Sequence, residues 1–376
     1  MLVTIVIFIV LFFLYVHINA HYTKNEDLEI YETDYTTNKD LQDVCNLKQP
    51  TLFEFSQSCP ELFENENYTL DKLCKKYDKY FVKVKDSTDY FTDPPTEIVD
   101  AVPLSLGNYR ILAMTDSKKR YYTDNNEFFI EDAALSVSKV DEYLKPNFSV
   151  KTSYDIIAGS AGTSMPMQYH NHFRRFLIVT SGRIHVKMTP WKSNKYLHPL
   201  TDYDNYEFRS AMNVWSPDSN KSDKIRADYD RIKFTEFDVH KGYALYIPPY
   251  WWYSLQFAEN ITDTVILSAT YDSAVSIIAN STDLLKHFLQ IQNNKEIITR
   301  TLVAEPKPII KEEYEIMAND NEEIKEHIQI DPLEEHVYPS GEPHTASAHE
   351  LAEQLQSQHI VPIRDQHEQL FQHVLG

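Results

Sequence analysis

Residues 166–182 read PMQYHNHFRRFLIVTSG, and residues 242–257 read GYALYIPPYWWYSLQF. His170 and His172 alternate, so on a strand their imidazoles share one face. Two imidazoles on one face are a start toward a divalent-metal site, which needs a third donor and open positions to do chemistry. The second stretch offers no third imidazole or carboxylate; its Tyr253 is a phenol with an ordinary pKa of about 10, a poor divalent-metal ligand beside imidazole. Arg174 and Arg175 follow the histidine pair, and a guanidinium repels a divalent cation. Without a metal, the pair reads as two polar side chains at the open end of a β structure. Trp251, Trp252, Tyr246 and Tyr250 read as wall and packing residues. No Ser/His/Asp signature, P-loop or dinucleotide fingerprint is present.

The elements that must hold these residues are strands. The stretch RFLIVTSGRIHVKMTP is two alternating runs about Ser181-Gly182, a hairpin or bend signal. IKFTEFDVHKGYALYIPP and DTVILSATYD add further runs, so residues 151–280 predict a sandwich or barrel of short strands. The polar insert at 192–231 is loop-rich. Residues 47–150 mix short helices and strands, with Thr69 placed to cap a helix. Residues 281–302 read as a helix whose Leu284, Leu285, Phe288 and Ile291 form one stripe. Such a stripe packs on its own domain or, over residues 283–298, pairs with a second copy. Residues 21–46 read as a polar stem.

The chain has 376 residues and a formal net charge of −20. That sign excludes a nucleic-acid partner, which needs a basic face. Residues 304–376 carry 16 Asp/Glu against 4 Lys/Arg, hence −12 of the total, and 7 of the 15 histidines. The segment 303–376 therefore reads as a disordered acidic tail whose histidines are solvated. Only Cys45, Cys59 and Cys74 are present, with no CxxC spacing. One disulfide with a thiol left over, or three unpaired thiols, both fit.

Residues 1–20, MLVTIVIFIVLFFLYVHINA, hold no charged side chain and fit an uncleaved anchor, with residues 2–18 in the membrane, a cleaved signal, or a buried helix. The acidic flank KNEDLEIYETD favours a non-cytoplasmic body, or a secreted one if the N-terminus is cleaved. Sequons at Asn67, Asn147, Asn220, Asn260 and Asn280 agree with that side.

Taken together, FLIVTSGRIHVKMTP, SAMNVWSPD and FTEFDVHKGYALYIPPYWWYSLQF resemble the JmjC/cupin-like iron(II)/2-oxoglutarate oxygenases, in particular their asparaginyl-hydroxylase-like branch. The likeness runs from about Leu47 to the helix after Asp283, and its most specific part is G-x-A-L-Y-I-P-x-Y-W-W. It implies a mainly β fold with flanking helices, the double-stranded β-helix of a cupin or JmjC jelly roll. It also implies a His-x-Asp pair and a second His after the Trp pair. At the family's spacing from Gly182 those positions hold Tyr169, Asn171 and Tyr253. A slide of one residue offers His170 and His172 instead. The position of the family's 2-oxoglutarate lysine holds Ile184, and that of its helper asparagine holds Ser268. Lys187 lies on the opposite strand face from Ile184.

The resemblance thus implies a catalytically inactive, membrane-anchored relative that binds a protein partner or serves architecture, with no cofactor expected. Two alternatives stay open. One is an active hydroxylase using iron(II), 2-oxoglutarate and a non-standard ligand set; the other is a metal-free small-molecule or glycan binder.

Overall fold

The computed structural model describes residues 2–64 and 68–303, without the side chains of residues 295–303. Asn67 and the tail at 304–376 lie outside the described residues.

The chain opens with α1 (Leu2–Tyr22), followed by β1 (Tyr31–Asp34), α2 (Asn38–Cys45) and β2 (Thr51–Glu54). Then come α3 (Pro60–Phe63), α4 (Leu70–Tyr77), β3 (Phe81–Asp86), β4 (Val102–Ser105), α5 (Leu106–Thr115), β5 (Tyr121–Thr123), α6 (Glu127–Asp132) and α7 (Asp141–Leu144). The main β region is β6 (Ser149–Gly159), β7 (Gln168–Tyr169), β8 (Arg174–Ser181), β9 (Arg183–Thr189), β10 (Pro199–Asp202) and β11 (Glu207–Ser210). After α8 (Asp223–Tyr229) it continues through β12 (Thr235–His240), β13 (Tyr243–Ile247), β14 (Trp252–Phe257) and β15 (Val265–Ser273). Helices α9 (Ala274–Ala279) and α10 (Ser281–Val303) follow, and the compact unit containing the sheets ends at Phe288, within α10.

The strands form two sheets, in the orders β1-β2-β13-β8-β15-β6-β5-β3-β4 and β10-β11-β7-β14-β9-β12. The fold is mainly β, as expected. The two runs about Ser181-Gly182 are not a hairpin: β8 belongs to the first sheet and β9 to the second. Gly182 makes the bend at φ +76°, where a Cβ would meet the Thr264 side chain at 2.2 Å. A side chain there is excluded both by conformation and by space.

Strand alternation divides the apolar residues. Leu177 and Val179 of β8, Ile184, Val186 and Met188 of β9, and Tyr253, Leu255 and Phe257 of β14 all enter one buried core with Leu245, Ile247 and Ile266. Each large aliphatic or aromatic side chain fully buried this way contributes about 1.5–3 kcal/mol. The opposite face of the second sheet builds another cluster from Met167, Leu197, Met212, Val214, Ile232 and Trp252. Segment 192–231, expected as loop, forms β10, β11 and α8, and it supplies Leu197, Met212 and Val214 to this cluster, with Ile225 and Tyr229 of α8 packed against it.

Residues 21–46 are no stem. Strand β1 pairs in parallel with β2, and α2 buries Leu41 and Cys45 under a Thr37 cap that accepts from the Asp40 N–H. Only three residues of this segment's amphipathic helix are apolar, which hid it in a charged stretch. The cysteines are free and buried. Burial pushes the Cys45 thiol up to about 12 and the Cys74 thiol to about 11, so both stay protonated.

Helix α1 has 21 residues and a mean hydropathy of 2.5 over its most apolar window, long and apolar enough to cross a membrane. That window has no buried residue, which removes the buried-helix reading. Its last turn is seated on the sheets. Lys48 donates to the carbonyls of Ala20 (2.5 Å), His21 (2.7 Å) and Thr23 (2.7 Å), satisfying carbonyls that a helix end leaves open. Partial burial lowers the Lys48 ammonium to about 8, with Arg174 and Lys24 acting in the same direction.

Candidate functional site

The histidine pair lies just past β7, at the end of the two sheets where β8 begins and β15 finishes. His170 is buried, and its Nε2 is 3.0 Å from the Ile247 carbonyl. A carbonyl only accepts, so Nε2 carries the proton and Nδ1 keeps a bare lone pair. That Nδ1 is buried without a hydrogen-bond partner. Burial holds the His170 imidazolium well below its ordinary range, and the charge of Arg175 and the second histidine push the same way. His172 donates Nδ1–H to Asp272 Oδ2 at 2.8 Å, and the two imidazole centroids are 5.9 Å apart.

Asp272, at the end of β15, also accepts from the Phe173 N–H (3.1 Å) and the Ser276 hydroxyl (3.1 Å). Burial would raise its pKa. His172 and these donors outweigh burial and hold the carboxyl far below the usual range.

The other sequence candidates go to different places. Tyr169 turns into the second cluster, with ring centroids 5.0 Å from Trp191, 5.0 Å from Phe208 and 4.8 Å from Trp252. Asn171 donates to the Tyr206 hydroxyl at 3.0 Å. Tyr253 points into the inner core, 6.3 Å from the His170 ring, with its hydroxyl buried and unpartnered. Ser268 accepts from Arg175 Nε at 3.3 Å, and the Arg175 guanidinium lies 5.9 Å from the Tyr253 ring. Ile184 is wholly buried in the core, whereas Lys187 turns out from it to Val214 O (3.3 Å) and Glu236 (3.2 Å). Among the described residues, no group of three or more His, Cys, Asp or Glu side chains could hold a metal ion.

No protein-family model and no curated protein matches the chain. The site therefore rests on its own geometry.

That geometry includes residues the sequence reading missed. On the inner faces behind Tyr253, Lys85 of β3 is 2.6 Å from Asp124 and also pairs with Glu207 of β11. Asn125 donates to Glu207 at 2.9 Å. Burial opposes the charge on Lys85, yet the two carboxylates hold its pKa well above the ordinary value. Burial raises the Glu207 carboxyl, against the pull of Lys85. Asp155 of β6 accepts from the backbone N–H groups of Asn125 (2.9 Å) and Asn126 (2.7 Å). Burial, then the neighbouring Asp124, push Asp155 up to about 7. In FVKVKD, alternation puts Lys85 on the face opposite Val82 and Val84, where it reads as solvent-facing; only Asp155, at the start of the apolar run in YDIIAG, gave a signal.

Two sequons are corrected here. Asn220 is buried, donating to Asn213 O (3.1 Å) and Pro217 O (2.8 Å). Asn280 is buried, donating to Asn171 O (2.7 Å) and accepting from the Tyr250 hydroxyl. Neither amide has room for a glycan in the folded chain. Asn147 and Asn260 are exposed.

Proposed function

We propose that this chain is a membrane-anchored binding or architectural protein built on a double-stranded β-helix that has given up oxygenase chemistry. Support for the fold comes from the strand order. Strands β6, β8, β13 and β15 lie together in one sheet and β7, β9, β12 and β14 in the other; β6 to β9 alternate between the sheets, as do β12 to β15, with β10 and β11 inserted in the second sheet. A jelly roll wound from paired strands has that interleaving. Support for the anchor comes from the length and apolarity of α1, and the acidic flank after it favours a non-cytoplasmic body.

The observation that carries the loss of chemistry is the fate of the three ligand positions. Tyr169 is spent in the outer aromatic cluster, Asn171 on Tyr206, and Tyr253 in the inner core. Arg175, close enough to bear on the charge of His170, opposes a dication there. These residues do not fit iron(II) with a facial triad, and Ile184 and Ser268 supply no cation for a 2-oxoglutarate carboxylate.

One arrangement favours a second reading, a non-catalytic divalent-cation site. Each histidine commits one ring N–H to a fixed acceptor, Ile247 O or Asp272, as metal-bound imidazoles do. A single experiment separates the two. The full chain in detergent, purified anaerobically with iron(II), is assayed for bound metal and for a thermal shift with iron(II) plus 2-oxoglutarate. The proposed function expects neither. One iron per chain, lost in His172→Ala, overturns it; zinc retained without any 2-oxoglutarate response supports the second reading.

A further inference from the structure

The end of the sheets that carries His170, His172 and Asp272 is also the end at which α1 is seated. His21 and Tyr22 have ring centroids 6.0 and 6.2 Å from Tyr250, and the Tyr22 hydroxyl donates to Ala279 O at the end of α9. Four apolar side chains stand exposed around this junction. Phe148, 92% exposed, forms the tip that leads into β6, and its neighbour Ser149 pairs with Ser273 at the end of β15. Val150 is 60% exposed on the same strand end, and Ile278 is 47% exposed on α9. Leu47 is 57% exposed; its carbonyl accepts from Asn25, and it precedes the Lys48 that caps α1. A bulky side chain at a water-facing tip, held there at φ 62°, is unusual for a residue with no partner.

Resting on the reading of α1 as a membrane span, we propose that this end of the domain is a bilayer-contact face. In it Leu47, Phe148, Val150 and Ile278 enter the boundary between headgroups and acyl chains. The helix itself fixes the occupant. Twenty-one residues at about 1.5 Å rise make a rod of about 31 Å, close to the ~30 Å hydrocarbon core. A span of that length puts its Tyr22 end, and the α9 turn bonded to it, at the lipid surface. Apolar groups beside that point then lie within the roughly 5–10 Å depth that interfacial side chains reach. A second copy would have to approach past the α1 rods that stand among these residues.

The test uses the full chain in phosphatidylcholine vesicles, with an environment-sensitive fluorophore on Phe148→Cys. Asn260→Cys, in the exposed turn between β14 and β15 at the opposite end, is the control. The three native thiols are buried, and label on the parent chain gives the blank. The expected result is co-flotation that survives carbonate, with label 148 blue-shifted and quenched several-fold more than label 260 by lipids spin-labelled high on the acyl chain. Co-flotation with both labels equally water-exposed overturns the contact face and leaves the anchor standing. Failure to float, or loss in carbonate, overturns both. Label 148 quenched by a second labelled chain and not by lipid assigns the face to self-association and overturns the proposal.

Discussion

The buried Lys85 sits between two carboxylates and gives the most severe test of the interior described here. Its side chain is 2% exposed, and Asp124 and Glu207 are 8% and 9% exposed. Lys85→Met fills similar volume but leaves two carboxylates facing each other out of water. Breaking a buried ion pair from one side costs about 3–5 kcal/mol, because the remaining charge has no compensation. At about 2–4 °C per kcal/mol for a domain of this size, the melting temperature should fall by roughly 6–20 °C. The measurement is thermal unfolding of the full chain in detergent, followed by circular dichroism. Adding Asp124→Asn and Glu207→Gln to Lys85→Met removes the stranded charges, so the triple variant should regain most of the loss. A Lys85→Met protein melting within about 1 °C of the parent would refute the reasoning, as would a triple variant less stable than the single.

Asp155 and the exposed sequons each carry a further prediction. Asp155 titrates near 7 in the folded protein against 3.8 for the free side chain, so between those values the folded state holds a proton that the unfolded state has lost. Stability should therefore fall as pH rises from about 4 to 7, by an amount on the order of 4 kcal/mol; Asp155→Asn should flatten that slope, and an unchanged slope in melts at pH 5 and pH 8 counts against it. If the body is non-cytoplasmic, Asn260→Gln should remove one endoglycosidase-sensitive band shift, while Asn147→Gln, beside the membrane-facing Phe148, and Asn220→Gln and Asn280→Gln, both buried, remove none. A glycan found at Asn280 would contradict its buried bonds to Asn171 and Tyr250.

The strands that build the core were legible because burial on one face imposes a period of two. RIHVKMT shows it plainly, with Ile184, Val186 and Met188 inward. The turn at Gly182 was legible as a break, but its direction was not. Whether a chain reverses within one sheet or crosses to another depends on what packs against the bend, here Thr264 from a distant loop. Helix α2 was missed because its two buried side chains lie in a run of charge. The interior ion network was missed for a different reason. Lys85, Asp124, Asp155 and Glu207 each come from a separate element, and no local spacing relates them. The histidine pair was visible as two residues, yet its tautomers were not, since these are fixed by Ile247 O and Asp272 from strands far along the chain.

The residue at position 169 has a physical use of its own. Tyr169 stands where the resemblance implies a histidine, and its ring lies 5.0 Å from Trp191 and 6.2 Å from Tyr250. Those two rings in turn receive the start of the domain. The Lys24 ammonium sits 3.9 Å over Trp191 and 4.7 Å over Tyr250, and Tyr250 packs against His21 and Tyr22 of α1. A cation held over an indole contributes about 0.5–2 kcal/mol, and Lys48 adds its three bonds to the helix end. The aromatic rim thus fixes the angle at which α1 leaves the sheets, which a flexible tether could not do. A metal-ligating histidine at 169 would have to turn inward, toward Tyr253 and Arg175, and would withdraw its ring from this seat. At this position the chain therefore meets two demands that exclude each other, a ligand facing in or a platform facing out, and its tyrosine serves the second.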